Sequence, residues 1–213
     1  MKVLLYGGHF DPITKAHMDI IFFGRNYTNY DAVWFLPSYK KSFPNGSKED
    51  KGASPEDRVK MIKLSIDKMD GIHCCDFEIE HELTNGTYNT IRLLEYKYPG
   101  YKFGLLTGSD NANTIKEWKH WQALMDNVQC VVIHRQGHPL KNPLIWLKNG
   151  KHILIPKEAF STNEISSTLT RQYIREGRLL KETEDKEPTL VTKPVLKYIL
   201  ERKLYKKGTL ENN

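Results

Sequence analysis

Cysteine is scarce in this chain, with three among 213 residues: Cys74, Cys75 and Cys130. An odd count with two neighbours adjacent gives no disulfide framework and no paired zinc-ligand spacing, so reduced core cysteines are expected. Long apolar runs are missing too. No stretch approaches eighteen consecutive apolar residues, which excludes a membrane-spanning helix. The run Val3–Tyr6 is too short for a signal peptide and stops at Gly7 and Gly8. It reads as the first buried strand of a cytoplasmic protein. An acidic balance is also absent: the net charge is +6, with a pI near 9.0. Such a balance suits nucleic acid or multiply phosphorylated small molecules. The basic residues are spread along the chain, with a modest cluster at Arg202, Lys203, Lys206 and Lys207. RNA-binding aromatic motifs and basic-zipper heptads are lacking, so anionic small molecules fit better than nucleic acid.

What is present is a globular pattern, 39% apolar and 27% charged, long enough for one domain with a core. Short runs rich in Val, Ile, Leu and aromatics predict strands at 3–6, 32–36, 72–75, 103–107, 128–134 and 153–155. Helical patterns lie between and after them, at 17–26, 55–68, 88–97, 118–125, 167–175 and 194–203. Ser54-Pro55 caps one helix, and Pro99-Gly100 stops another. The alternation predicts an α/β fold, a doubly wound parallel sheet of Rossmann-like type. A single domain spans 1–213, with 180–213 as a charged connection and a small helical C-terminal extension. The polar stretch 40–51 predicts a mobile loop.

Ligands in such sheets sit beyond the carboxyl ends of the strands, where strand order reverses. The first strand–helix turn reads Gly7-Gly8-His9-Phe10-Asp11-Pro12-Ile13-Thr14-Lys15-Ala16-His17. It has neither the third glycine of a dinucleotide fingerprint nor the Gly-Lys-Ser/Thr of a Walker A loop. Glycines at the strand end allow a ligand close to the backbone. Thr14 and His17, three apart, share a face at the positive end of a helix, which favours phosphate. A lone histidine there would be read as a cap or a packing residue. Further on, Ser166 or Ser167 can cap a helix, with Arg171 a turn later on the same exposed end, a pocket suited to pyrophosphate.

These two stretches resemble the signatures of the adenylyltransferase and cytidylyltransferase superfamily. The first matches Gly-Gly-x-Phe-Asp-Pro-Ile-(His/Thr)-x-x-His; the second, Ile165 to Arg171, matches Ile-Ser-Ser-Thr-x-x-Arg. Further pieces resemble the pyridine-nucleotide adenylyltransferases of that superfamily. Gly108-Ser109-Asp110 resembles its Gly-x-Asp, whose carboxylate accepts hydrogen bonds from a ribose. Gly86-Thr87-Tyr88-Asn89-Thr90 resembles, imperfectly, a Gly-x-Ser-Tyr-Thr stretch. Trp118 stands where an aromatic stacks on a pyridine ring, although it could instead pack with Trp121. His134-Arg135-Gln136-Gly137 resembles an Arg-x-Gly at the end of the fifth strand, whose arginine holds a substrate phosphate or lines the adenine pocket. The Pro-Pro-His-Lys of many relatives is replaced by Pro37-Ser38-Tyr39-Lys40-Lys41.

The resemblance implies transfer of the adenylyl group of ATP to nicotinate mononucleotide in NAD biosynthesis, with nicotinamide mononucleotide as a second substrate. Thr14 and His17 become the catalytic pair, His17 protonated and holding the α-phosphate. Gly7, Gly8, Phe10, Gly108, Asp110, Ile165, Ser166, Ser167 and Arg171 become the ATP site. Lys40, Lys41, Tyr88, Asn89, Trp118 and Arg135 become the pyridine-nucleotide site. Mg²⁺ arrives on ATP with mostly water ligands, and no protein metal site is expected. A homo-oligomer is compatible with the sequence. Phosphopantetheine and polyol phosphates are the alternative acceptors, and a non-catalytic nucleotide- or nucleic-acid-binding module is the alternative class.

Overall fold

The computed structural model describes residues 1–40, 52–135, 137–141, 147, 150–156, 165–179 and 190–206. Lys41, Gln136, the rest of the loop 41–51 and the charged connection 180–189 lie outside the described residues. Six strands form one parallel sheet: β1 (Lys2–Gly8), β2 (Ala32–Pro37), β3 (Ile72–Cys74), β4 (Lys102–Gly108), β5 (Gln129–Ile133) and β6 (Ile153–Ile155). Their order is β3-β2-β1-β4-β5-β6. The central strand β1 pairs on one side with β2, Tyr6 opposite Phe35, and on the other with β4, Tyr6 opposite Leu106.

Strand alternation divides the core into two layers. Leu4, Tyr6, Val33, Phe35, Leu106 and Val131 point to one face. There they meet α1 (Lys15–Asn26), α2 (Pro55–Ser65), α7 (Ser167–Arg175) and α8 (Lys193–Glu201) through Ile21, Ile62, Ile174 and Ile199. Val3, Leu5, Trp34, Leu105 and Val132 point to the other face. They meet α4 (Thr87–Lys97), α5 (Ser109–Thr114) and α6 (Trp121–Asn127) through Leu94, Ala112 and Leu124. Each fully buried aliphatic side chain in these layers contributes about 1.5–3 kcal/mol of transfer free energy. The helix after β1 thus lies on one face, and the helix after β4 on the other. Diverging connections from neighbouring strands open a crevice at their carboxyl ends, between Gly8 and Gly108.

Local chemistry sets the helix boundaries. Ser54 Oγ accepts from Asp57 N (3.1 Å) and caps α2, with Pro55 following. The helix expected from Trp118 begins only at Trp121. Ile115–Glu117 forms a 3₁₀ turn, Trp118 is extended, and His120 takes a left-handed φ of 58° that interrupts the backbone. Two short helices had no sequence expectation: α3 (Phe77–Glu80) and α5. The C-terminal helix is no loose extension, because Val195 and Ile199 are buried in the first core layer. Tyr198 Oη also donates to Asp57 Oδ1 on α2 (2.7 Å).

Candidate active site

The crevice is lined first by the turn after β1. Gly8 does not make room for a ligand: a Cβ there would lie 2.7 Å from the Phe10 ring. Gly7 does face open space. Phe10, expected among the ATP contacts, is buried at a left-handed φ of 52°, with its ring in the core. That ring meets Tyr6, Phe35 and, edge-on at 5.2 Å, the imidazole of His17. Phe10 therefore braces the imidazole of His17.

Thr14 ends the turn and caps α1 in an extended conformation. Its N–H donates to His17 Nδ1 (3.0 Å), and its Oγ1 lies 2.8 Å from the same nitrogen. A nitrogen that accepts a backbone N–H carries no proton, so the imidazole proton sits on Nε2. Burial, reinforced by the nearby Arg135 guanidinium, pushes the His17 pKa down to about 3. Without bound phosphate the imidazole is therefore neutral and offers one N–H, where the resemblance implies a protonated His17 on the α-phosphate.

Across the crevice, at the end of β4, Asp110 Oδ2 accepts from Arg135 Nη1 at 2.7 Å. A Cβ at Gly108 would come within 2.5 Å of Asp110 Oδ1 and displace that carboxylate. Ser109 Oγ fixes the strand end after β5, accepting from Arg135 N (2.9 Å) and donating to His138 O (2.5 Å). Arg135, expected on the pyridine side, is thus tied to the Asp110 side, close enough to His17 to lower its pKa.

The second motif closes the crevice from α7. Ser166, not Ser167, is the cap, its Oγ accepting from Leu169 N (3.1 Å). Ser167 Oγ donates to Pro12 O (2.8 Å). Arg171 is buried rather than exposed: its Nη1 donates to Asp11 O (2.6 Å) and its Nη2 lies 3.5 Å from Thr168 Oγ1. Both side chains hold the first turn in shape. Ile165 leads into this cap and packs at the edge of the core.

A second group gathers at the start of α4. Gly86 has a φ of 95°, and a Cβ there would meet Lys119 Cβ at 3.2 Å. Tyr88 lies 6.3 Å from the His120 ring. Tyr88, Trp118 and Trp121 are half-buried against the second core layer. Asn89 is turned to Asn85 O (3.0 Å), and Lys40 is exposed, its Nζ 5.4 Å from the Tyr39 ring. Two more residues, given no role by the motifs, hold the site together. Arg58 is buried and donates to His9 O (2.7 Å), Ser38 O (2.8 Å) and Tyr39 O (3.2 Å), joining the turn to the end of β2. Glu78 accepts from Thr90 Oγ1 (2.8 Å), and burial raises its pKa. The sequence signal for the first is its place in the first turn of α2, in the stretch Ser54-Pro55-Glu56-Asp57-Arg58-Val59 that resembles the family's helix after the loop.

A neutral N–H donor at a helix start and a carboxylate–guanidinium pair thus face each other across the strand-end crevice, where ligands of doubly wound sheets sit. Residues 5–173 match the family model described as cytidylyltransferase-like. A probable nicotinate-nucleotide adenylyltransferase of Clostridium botulinum is 31% identical over 208 residues, covering 95% of this chain and 98% of that protein. Another, of Flavobacterium psychrophilum, is 31% identical over 208 residues, covering 97% and 100%. The chain belongs to the cytidylyltransferase-like family and, within it, to the nicotinate-nucleotide adenylyltransferases. The fold is also that of the Plasmodium falciparum nicotinic acid mononucleotide adenylyltransferase solved with NaAD, at TM-score 0.75 and 22% identity over 96% of this chain and 97% of that one.

Proposed function

We infer that this protein transfers the adenylyl group of ATP to nicotinate mononucleotide, releasing pyrophosphate. The observation that carries this reading is the Thr14–His17 pair, set at the start of α1 beside the β1–β4 crevice with Asp110 and Arg135 opposite. The named activity of the relatives supports the same reaction. The mononucleotide phosphate is itself a nucleophile, so direct in-line attack on the α-phosphorus needs no covalent enzyme intermediate. Catalysis then rests on position and charge stabilisation. The Nε2–H of His17 donates to an α-phosphate oxygen as charge grows there. Asp110 exchanges part of its bond to Arg135 for the adenosine ribose, and Arg135 turns to phosphate. Ser166, Ser167 and Arg171 shape the turn that receives the β- and γ-phosphates. Tyr88 and Trp118 face the pyridine ring, with Lys119 as a cation for the nicotinate carboxylate.

Among the described residues, no group of three or more His, Cys, Asp or Glu is placed to hold a metal. Mg²⁺ bound by the triphosphate and water needs none, and it supplies charge neutralisation of the phosphates. A cytoplasmic location belongs to the same reading and is supported by the free thiols of Cys74, Cys75 and Cys130. The test is pyrophosphate release from ATP with nicotinate mononucleotide, nicotinamide mononucleotide or phosphopantetheine. Release with the first, alone or with the second, is the expected result. Release only with phosphopantetheine, or with none, overturns the assignment.

A further inference from the structure

The turn that presents Thr14 and His17 is held by side chains from distant parts of the chain. Its Asp11 carboxylate is buried, and Oδ1 accepts from Ala53 N (3.0 Å) and from Tyr205 Oη (2.6 Å). Gly52 lies so close that a Cβ there would sit 2.1 Å from Asp11 Oδ2. The Asp11 side chain is therefore enclosed, and its two Oδ1 donors are the amide before α2 and the phenol near the end of the described chain.

Tyr205 reaches this place through an unfavourable backbone. Its φ is 63° and that of Lys203 is 54°, both in the left-handed region that non-glycine residues avoid. Strain of this kind persists only where the surroundings over-determine it, and here it drives a buried phenol into a carboxylate. Burial and the neighbouring Asp11 raise the Tyr205 pKa, so the phenol remains a donor at every working pH.

We propose that Tyr205 is a positioning residue for adenylyl transfer: its hydroxyl fixes the Asp11 carboxylate and, through it, the turn that aims Thr14 and His17. The inference rests on the reaction assigned above. The C-terminal helix, which ends at Glu201 before Tyr205, is held differently. Tyr198 Oη and Arg202 Nε bond Asp57 on α2 at 2.7 and 3.3 Å. Those bonds dock the helix without touching the turn. A phenol that only anchored the C-terminus would behave like Tyr198; a phenol that aims the turn would not.

The test compares Tyr205→Phe with Tyr198→Phe in the full chain. Each removes one hydroxyl and keeps the ring. Tyr205→Phe is expected to lower kcat by about ten-fold or more, the size of one lost hydrogen bond to an ionised group, with the KM for the pyridine mononucleotide little changed. Tyr198→Phe is expected to lower the melting temperature and leave kcat within about two-fold, because its partner lies outside the turn. A second readout needs no turnover. Amide hydrogen exchange across residues 14–18 should quicken in Tyr205→Phe and stay as in the parent protein in Tyr198→Phe. Equal kcat losses in both variants, or a Tyr205→Phe protein with parental kcat and exchange, overturns the proposal. If the parent protein releases no pyrophosphate from ATP and nicotinate mononucleotide, the assigned reaction fails instead, and the exchange comparison still decides whether Tyr205 holds the turn.

Discussion

His17 is asked to do two things with two nitrogens, and two substitutions separate them. Nδ1 accepts from Thr14 N–H and caps the turn, while in the proposed reaction Nε2 carries the proton offered to phosphate. Asparagine places an amide oxygen near the position of Nδ1 and nothing near Nε2. Glutamine places its amide group near Nε2 and loses the acceptor at Nδ1. His17→Asn should therefore keep the cap and lose the donor. A single preorganised donor at a developing oxyanion is worth about 2.7–4 kcal/mol, so kcat should fall roughly 10²- to 10³-fold with little change in melting temperature. His17→Gln should retain more turnover than His17→Asn. It should lose about 1–2 kcal/mol of stability for the cap, or roughly 2–4 °C per kcal/mol in a protein of this size. Steady-state pyrophosphate release and thermal melts measure both quantities. The neutral state of His17 adds a pH signature. Its pKa lies at about 3, against 6.5 for an ordinary histidine, and Arg135 and Asp110 are the charged groups that face it. Between those values the unfolded chain binds the extra proton, so stability rises with pH through this window. As pH falls from 6.5 towards 3, stability is lost at up to about 1.4 kcal/mol per unit. His17→Asn should flatten that acid limb in urea melts. A rate limb near pH 6 that survives in His17→Asn belongs to the substrate phosphate. A His17→Asn enzyme with parental kcat would refute the donor role outright. A parental rate profile that falls above pH 6.5, with the fall absent in His17→Asn, would show that the imidazolium is the active form after all.

Other outcomes follow from the same geometry. Asp110→Asn removes the carboxylate that pairs with Arg135 at 2.7 Å, and should raise the KM for ATP about ten-fold. Both side chains of that pair are partly exposed, so the melting temperature should move by less than that of a core variant. Gly104→Ala on β4 should cost about 1–3 kcal/mol, because its Cβ would lie 2.0 Å from the Tyr30 hydroxyl, which bonds Gln129 Oε1. Adding Tyr30→Phe should recover part of that loss in denaturant melts, and a neutral Gly104→Ala would show that this packing is looser than described.

Strand positions were legible because strands buried on both faces read as unbroken apolar runs. Val3–Tyr6 and Ala32–Leu36 needed nothing from outside their own sequence. Helices with a capping residue and proline, such as Ser54-Pro55, were equally plain. Helices of four and six residues, α3 and α5, are too short to show a period of 3.6. Trp118 was placed on a helix because nothing local announces the left-handed His120 that ends that continuity. At the site, motifs identified which residues gather but not which way each side chain turns. Phe10 and Arg171 were expected against ligand, and both are buried in the framework. Asp11 offered no hint of its role, since Ala53, Arg171 and Tyr205 lie 42, 160 and 194 residues away. Contacts of such separation have no periodic trace.

The placement of β1 at the centre of the sheet bears on how the protein is made. β1 gains its second neighbour only when β4 has been made, about a hundred residues later. Contacts of long separation close slowly, since the loop between them must first be ordered. The bonds from Ser167 to Pro12 and from Arg171 to Asp11 come later still. A nascent chain that stops short of α7 therefore holds β1 and α1 without the α7 side chains that shape the turn between them. Translation therefore delivers His17 well before the α7 side chains that bond the turn presenting it.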